Sequence, residues 1–191
     1  MISTKGCDVM NGKTTHTALA ALRVFLGIGF LTAGLMKFLQ IGAEGPFTAA
    51  GFLKFGTAGS WPGVAAAAEG APPVIVNPTH DLWIAVAGNA TLLSIVDTLV
   101  VFGQIAVGAA LILGLATRFS GIMGALMMGF LTIAAWDFGH GLVNQTSLYM
   151  VVALVLAATH AGMAYGLDGI LEKASIVREH ASVRRFAGVV A

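Results

Sequence analysis

Apolar residues fall into four long runs, each close to the roughly 20 residues that an α-helix needs to cross the hydrocarbon core of a bilayer. The runs cover about 17–39, 91–116, 119–136 and 144–166. Only a short link around Thr117-Arg118 separates the second run from the third, so these two are expected to form an antiparallel hairpin. The pattern predicts an all-α membrane protein built as a bundle of four transmembrane helices.

The positions of the basic residues predict how the bundle is oriented, because Lys and Arg are retained on the cytoplasmic side of a membrane. All of them except Lys37 and Lys54 lie before or at the start of the first run, in the short link, or after the fourth run. We therefore expect both termini to be cytoplasmic in a plasma-membrane protein. Residues 1–16 would form a cytoplasmic N-terminal segment, 17–167 the transmembrane domain, and 168–191 a cytoplasmic amphipathic tail.

The outer connection between the first two runs, residues 40–81, is too long and too apolar for a plain linker. It is rich in phenylalanine, alanine and proline. We predict short interfacial helices lying over the mouth of the bundle, with a further helix from about 80 to 89 leading into the second span. Two interpretations stay open: the loop only seals the bundle, or it forms a lid over a pocket.

Composition excludes several classes of function. With 57% apolar and 10% charged residues and a mean hydropathy of +0.87, the chain is far from the soluble average. A formal net charge of +1 provides no field to hold nucleic acid. The single cysteine, Cys7, excludes an internal disulfide, covalent c-type haem and a thiolate iron–sulfur cluster within this chain. Any redox chemistry must therefore use a bound, non-thiolate cofactor.

Neither a metal nor a haem is expected. The sequence has no His-x-x-x-His, Glu-x-x-His or cysteine cluster that would supply metal ligands. His140 and His160 are placed at opposite ends of the third and fourth spans, so they cannot ligate one haem from both sides. His160 is instead expected to form an interhelical hydrogen bond.

Polar residues that collect at the outer ends of the spans form the best candidate site, because ionisable groups within a membrane usually face the bundle and mark function or a structural pair. The group consists of Lys37, Asp97, Trp136, Asp137, His140, Asn144 and Gln145. Such a set can bind a quinone ring, or hold a small oxyanion against Lys37 and His140. In a purely structural interpretation, Lys37 pairs with Asp97 or Asp137, while Asn144 and Gln145 cap the fourth span.

For the quinone, we predict catalytic roles for His140, Asp137 and Lys37, which would orient and protonate the ring. Trp136 and Gln145 would contact the ring, with the loop phenylalanines as an alternative to Trp136 for packing against it, and Asp97 completes the set of cofactor-binding residues. Glycines within the spans are expected to allow close helix packing inside one chain, with a homo-oligomer as the second explanation.

Three segments in order carry a family resemblance. They are Leu22-Arg23-Val24-Phe25-Leu26-Gly27 with Gly34 and Lys37, Gly108-x-x-Leu111-x-x-Gly114-Leu115-x-Thr117-Arg118, and Gly162-x-x-Tyr165-Gly166-Leu167-Asp168. Together they resemble the DoxX/DoxD family of small four-span membrane proteins. The long outer loop and the Asn144-Gln145-Thr146-Ser147 stretch are more similar to its DoxD branch. Gln104 stands where the family pattern often has a glutamate.

The resemblance implies a membrane subunit of a quinone-linked oxidoreductase that oxidises thiosulfate or a related reduced sulfur compound at the outer face. It also implies a quinone as cofactor, and a lipid bilayer and membrane or respiratory protein chains as partners. An alternative of a different class is a non-catalytic accessory subunit that stabilises a respiratory or other membrane complex. A small-molecule carrier is a third hypothesis, weakened by the absence of an inverted half-repeat in the sequence.

Overall fold

The computed structural model describes five stretches of the chain and, within them, the side chains from residue 14 onward. The stretches are residues 4–40, 45–58, 77–135, 143–159 and 166–169. Throughout these ranges the regular structure is helical, without a β-strand. The helices are α1 (Thr4–Phe38), α2 (Ala50–Phe55), α3 (His80–Gly88), α4 (Ala90–Leu113), α5 (Thr117–Ala134) and α6 (Gln145–Ala158), with a 3-10 turn at Gly56–Ala58.

Three of these helices are long and apolar enough to cross a membrane: the Thr14–Phe38 part of α1, Ala90–Leu113 and Thr117–Ala134. The fourth predicted span is represented by the shorter apolar helix Gln145–Ala158, and residues 160–165 lie outside the described ranges. The prediction of an all-helical membrane protein is thus confirmed.

The helix boundaries follow from local residue chemistry. The Asn89 side chain accepts hydrogen bonds from the backbone N–H groups of Thr91 and Leu92, so it ends α3 and caps α4. Gly114 ends α4 in the left-handed conformation with φ 64°. At the start of α6, Asn144 and Ser147 form a reciprocal capping box, which confirms the capping role predicted for Asn144. α1 begins before the predicted start of the first span, because no proline interrupts the polar residues ahead of it.

Helices α1 and α4 pack against each other in antiparallel order, and α5 packs on α6. The first pair is close because a Cβ atom at Gly108 would collide with the backbone of Leu31 and lie 2.8 Å from the carbonyl oxygen of Gly27. In the second pair, a Cβ at Gly121 would lie 2.9 Å from the carbonyl oxygen of Ala153. Between the pairs lies a core that includes Leu26, Phe30, Val107, Leu111, Met128 and Leu156. As predicted, glycine allows close packing within one chain.

Two short segments, residues 45–58 and 77–89, form what we call the roof. Ala49 and Leu53 of the first segment and Ala87 of the second make a small buried cluster, onto which Trp83 packs. The cluster continues onto Leu93 and Val96 near the start of α4. The roof therefore lies at the end of the bundle that contains the C-terminus of α1, which we call the Lys37 end. Short helices in this connection, and the helix predicted at about 80–89, are confirmed.

Candidate functional site

Lys37 occupies the last turn of α1, below the roof, and its ammonium group has three described neighbours. Nζ donates to Oε1 of Gln104 at 3.0 Å and to the carbonyl oxygen of Ala33 at 3.2 Å. It also lies 5.7 Å from the centre of the Phe47 ring, within cation–π range. Gln104 is only 5% exposed, so the charged group faces the interior between α1 and α4.

Asp97 lies two helical turns before Gln104 on α4, and it contacts the roof. Its Oδ1 accepts a hydrogen bond of 2.6 Å from the backbone N–H of Ala49. In the described part of the chain it forms no ion pair with Lys37, whose amide partner is Gln104. Of the two partners that a purely structural interpretation offered for Lys37, Asp97 is therefore wrong, and Asp137 lies outside the described residues. The reason is the register of the close α1–α4 contact, which places Gly34 beside Gln104 and Ile105, and so Lys37 within reach of Gln104.

Asn77 joins the roof to the bundle. It is 1% exposed, and its Nδ2 donates to the carbonyl oxygens of Ile133 at 3.0 Å and Ala134 at 2.6 Å, at the C-terminal end of α5. Its Oδ1 accepts from the N–H and the hydroxyl of Thr79, and that hydroxyl in turn accepts from the indole N–H of Trp83. One amide thus satisfies carbonyls at a helix end and orients the start of α3.

Replacement of Asn77 by aspartate is expected to loosen the roof. The carboxylate cannot donate, so two carbonyl oxygens lose their partner and face a negative charge, which costs about 2 kcal/mol of local stability. Amide hydrogen exchange in His80–Gly88 should become roughly thirty-fold faster. The matched control is Asn89→Asp, an exposed cap at which aspartate works as well as asparagine. Equal exchange rates in the two variants would show that Asn77 does not hold the roof.

His80 supplies a titratable group to the roof, at the start of α3. Its Nδ1 lies 2.8 Å from the hydroxyl of Thr57, which is fully buried and donates its single proton to the carbonyl oxygen of Leu53 at 2.6 Å. The hydroxyl oxygen must then accept from Nδ1–H, so the proton of the neutral imidazole lies on Nδ1. This contact survives protonation of the ring, because Nδ1 carries a proton in both states.

The structure describes some of the predicted site residues and not others. Trp136, Asp137 and His140 lie outside the described residues. Lys37 and Asp97 lie at the same end of the bundle under the roof. Gln145 is exposed and donates to the Tyr149 hydroxyl on its own helix at 3.2 Å.

Sequence reasoning offered the loop phenylalanines together as possible ring contacts without choosing Phe47, and it missed Asn77 as part of this region. Phe47 was only one of several loop phenylalanines, and Asn77 had no helical periodicity to place it. The Asn77-Pro78 pair is a turn signal that could have drawn attention to this position.

The arrangement at the Lys37 end can bind a carbonyl or an anionic oxygen. An ammonium and a primary amide supply hydrogen-bond donors, a carboxylate supplies an acceptor, and Phe47 supplies an aromatic face. Of the residues with described positions, no three of His, Cys, Asp or Glu lie close enough to hold a metal ion.

Comparison with known proteins identifies a family. Residues 76–187, more than half of the chain, match the family described as "TQO small subunit DoxD". The chain belongs to the DoxD family. No curated protein and no solved structure matches the sequence.

In this DoxD protein the match covers the roof helix α3 and all the helices that follow it. Asn77, Asp97 and Gln104 therefore lie within the DoxD-matched region. Lys37 and Phe47 precede it. In the Lys37–Gln104 hydrogen bond, Gln104 therefore lies within the matched residues and Lys37 outside them.

The opposite end of this DoxD bundle carries a second polar cluster, which we call the Arg23 junction. Asp168 accepts from the backbone N–H of Ala116 at 2.7 Å and of Thr117 at 2.9 Å, while its own N–H donates to the carbonyl oxygen of Gly114 at 2.9 Å. Arg23 is 2% exposed and packs over Gly114, where Asp168 is the carboxylate that stabilises its charge. Asp168, the first residue of the predicted tail, is buried and caps α5.

Proposed function

We propose that this DoxD-family chain is the quinone-binding membrane subunit of a thiosulfate:quinone oxidoreductase, with its quinone site at the Lys37 end. The observation that carries the proposal is the contact of Lys37 with Gln104 beside the ring of Phe47, beneath an apolar roof. A quinone offers two carbonyl oxygens on a flat ring, which suits donors placed next to an aromatic face.

In this proposal the residues of the chain bind and orient the acceptor. Lys37 and Gln104 would donate to one carbonyl oxygen, Phe47 would pack against the ring, and Asp97 would exchange a proton. In the overall reaction two thiosulfate anions lose one electron each and join through a new sulfur–sulfur bond, while both electrons, with two protons, reduce the quinone. His140, Asp137, Trp136 and Gln145 remain part of the proposed site, in the orienting and ring-contacting roles derived from the sequence.

A partner chain fits the same proposal. The family description names a small subunit, and the single cysteine leaves this chain without thiolate redox centres. We therefore propose that thiosulfate is oxidised at the outer face together with another membrane or respiratory subunit.

The proposal also includes a plasma-membrane topology with four spans and cytoplasmic termini. Arg23 and Arg118 lie at the end of the bundle opposite the roof, and since basic residues are retained in the cytoplasm, this supports a roof at the outer face. The fourth span would begin with α6 and continue through the residues that follow Ala158. Labelling of cysteines introduced at Gly45 and at Leu167, by a membrane-impermeant maleimide on intact cells, tests the orientation. Labelling of only the first is expected.

Quinone binding is tested on the purified chain in lipid nanodiscs, with decyl-ubiquinone and a menaquinone analogue as probes. The Lys37→Met variant keeps the length of the side chain but removes its charge and donors, so affinity should fall about ten-fold or more. The control is Lys54→Met, which removes an exposed lysine from the roof. The proposal fails if the wild-type chain binds neither probe, or if both variants bind as tightly as the wild type.

A non-catalytic accessory subunit is the second candidate. It is favoured by the fact that Lys37 and Asp97 already have partners within the chain, as structural polar groups do. Gentle purification from native membranes, followed by mass spectrometry of proteins and extracted small molecules, separates the two. A stable larger complex with no quinone on this chain would support the accessory role, whereas bound quinone would support the site.

A further inference from the structure

We propose that Asp97 is a proton-operated latch that holds the roof segment 45–58 over Lys37 when its carboxyl is ionised and loosens it when the carboxyl is protonated. Such a latch would regulate access to the proposed quinone site, and only its biological meaning rests on that proposed function. The latch itself is a property of the protein without ligand.

The first observation is the hydrogen bond between the roof and Asp97. Ala49 N–H donates to Asp97 Oδ1 at 2.6 Å, and Ala49 immediately precedes α2. The carbonyl oxygen of Ala49 then accepts from Leu53 N–H, which begins the helical turn that buries Leu53. A bond to an ionised carboxylate is roughly twice as strong as a bond between neutral groups. The position of α2 is therefore tied to the charge of one side chain on α4.

The second observation is that the same short stretch of the roof reaches the ligand-binding groups. Phe47, two residues before Ala49, lies over the ammonium group of Lys37. Any movement that breaks the Ala49–Asp97 bond also changes the cover over Lys37 and Gln104. Protonation of Asp97 is thus coupled to access at the proposed site.

Other charged groups on the neighbouring helices do not replace Asp97 in this role. At the roof end of the bundle the described ones are Lys37 on α1, Lys54 on α2, and His80 and Asp81 on α3. Lys54 and Asp81 are exposed, and His80 is bonded to Thr57 through a nitrogen that stays protonated in both charge states. Within the described ranges none of the four forms an ion pair with Asp97.

The direction of the device follows from the charge. A carboxyl that has given up its proton closes the roof, and one that has taken a proton from the aqueous side loosens it. When Asp97 gives its proton to a ligand in the site, the roof therefore stays closed. When Asp97 takes up another proton, the roof loosens and the ligand can exchange.

Amide hydrogen exchange by mass spectrometry tests the latch on the full chain without any quinone. Asp97→Asn mimics the protonated carboxyl, because the amide is neutral, has the same shape and still offers an oxygen to Ala49 N–H. The exchange rate of the variant is divided by that of the wild type at the same pH. This ratio removes the pH dependence of the intrinsic exchange rate, which is the same for both proteins. In residues 49–57 we expect the variant to exchange about five-fold faster at high pH, and the ratio to approach one as the pH falls. A ratio that stays constant with pH, or never departs from one, would overturn the latch.

A second measurement needs only the wild-type chain and covers the case in which Asp97→Asn does not fold. Intrinsic exchange rates of all peptides change in the same way with pH, so the protection of residues 49–57 relative to Thr117–Ala134 of the same molecule should decrease as the pH falls. A constant relative protection would contradict the proposal. Because no quinone is present, this result is independent of the quinone-binding test: the chain can bind quinone without a latch, or have a latch without binding quinone.

Discussion

Asp168→Ala is expected to lower the free energy of unfolding by about 3–5 kcal/mol, the largest effect of any substitution considered for this protein. The variant removes the acceptor of two backbone N–H groups at the start of α5. It also leaves Arg23, which is 2% exposed, without the carboxylate that stabilises its charge. Removal of a carboxylate that stabilises a buried cation is costly because the cation then stays in a poorly solvated place.

SDS-titration unfolding in mixed micelles measures this loss. The matched control is Asp81→Ala, an exposed aspartate in the first turn of α3, which should cost less than about 1 kcal/mol. If the buried charge is the cause, the double variant Arg23→Met/Asp168→Ala should be more stable than the sum of the two single effects predicts. Equal losses for Asp168→Ala and Asp81→Ala would contradict the role of the Arg23 junction.

Residues from all three segments that carry the family resemblance meet at the Arg23 junction. Arg23 comes from the first resembling segment, Gly114 and Thr117 from the second, and Gly166 and Asp168 from the third. A Cβ at Gly114 would lie 2.6 Å from Nη1 of Arg23 and 2.7 Å from Cα of Gly166, so only glycine fits between them. These residues thus build the fold at this end of the bundle, whereas Lys37 of the first segment lies at the opposite end, in the candidate site.

The lengths of the apolar runs predicted the helices well because each run reports on one element at a time. The predicted helix at about 80–89 and the observed His80–Gly88 differ by one residue, since Asn89 turns its side chain to cap α4. The second predicted span continued to residue 116, whereas α4 ends at Leu113. Alanine and leucine give no stop signal after Gly114, and the end depends on the left-handed φ of that glycine.

The candidate site was less predictable because its contacts depend on the register between helices. Depth in the membrane placed Lys37 and Asp97 at the same end, and the structure agrees. Their partners, Gln104 and Ala49, could not be chosen from the sequence, since attraction between opposite charges pointed to a pair of Lys37 with Asp97 or Asp137. The register between α1 and α4 pairs Lys37 with Gln104, and this register depends on how closely the glycines of the two helices approach.

Gly108→Ala is expected to destabilise the chain by about 2–3 kcal/mol and to disturb the Lys37 site at a distance. The added methyl group would collide with the backbone of Leu31 and Gly27, and a backbone cannot turn aside as a side chain can. Helices α1 and α4 must therefore separate, which lengthens the contact of Lys37 with Gln104, about one helical turn from Gly108 on α4. The loss is measured by SDS-titration unfolding, and the change at the site by the affinity for the quinone probes.

The matched control is Gly103→Ala on the same helix. There the new methyl group would meet only the terminal carbon of the Met127 side chain, which is flexible and can move aside. Alanine also favours the helix by about 0.5–1 kcal/mol over glycine, so this variant should be as stable as the wild type or slightly more so. A Gly108→Ala variant as stable as Gly103→Ala would show that the α1–α4 contact tolerates a wider spacing, and the register argument for the Lys37–Gln104 pair would then lose its basis.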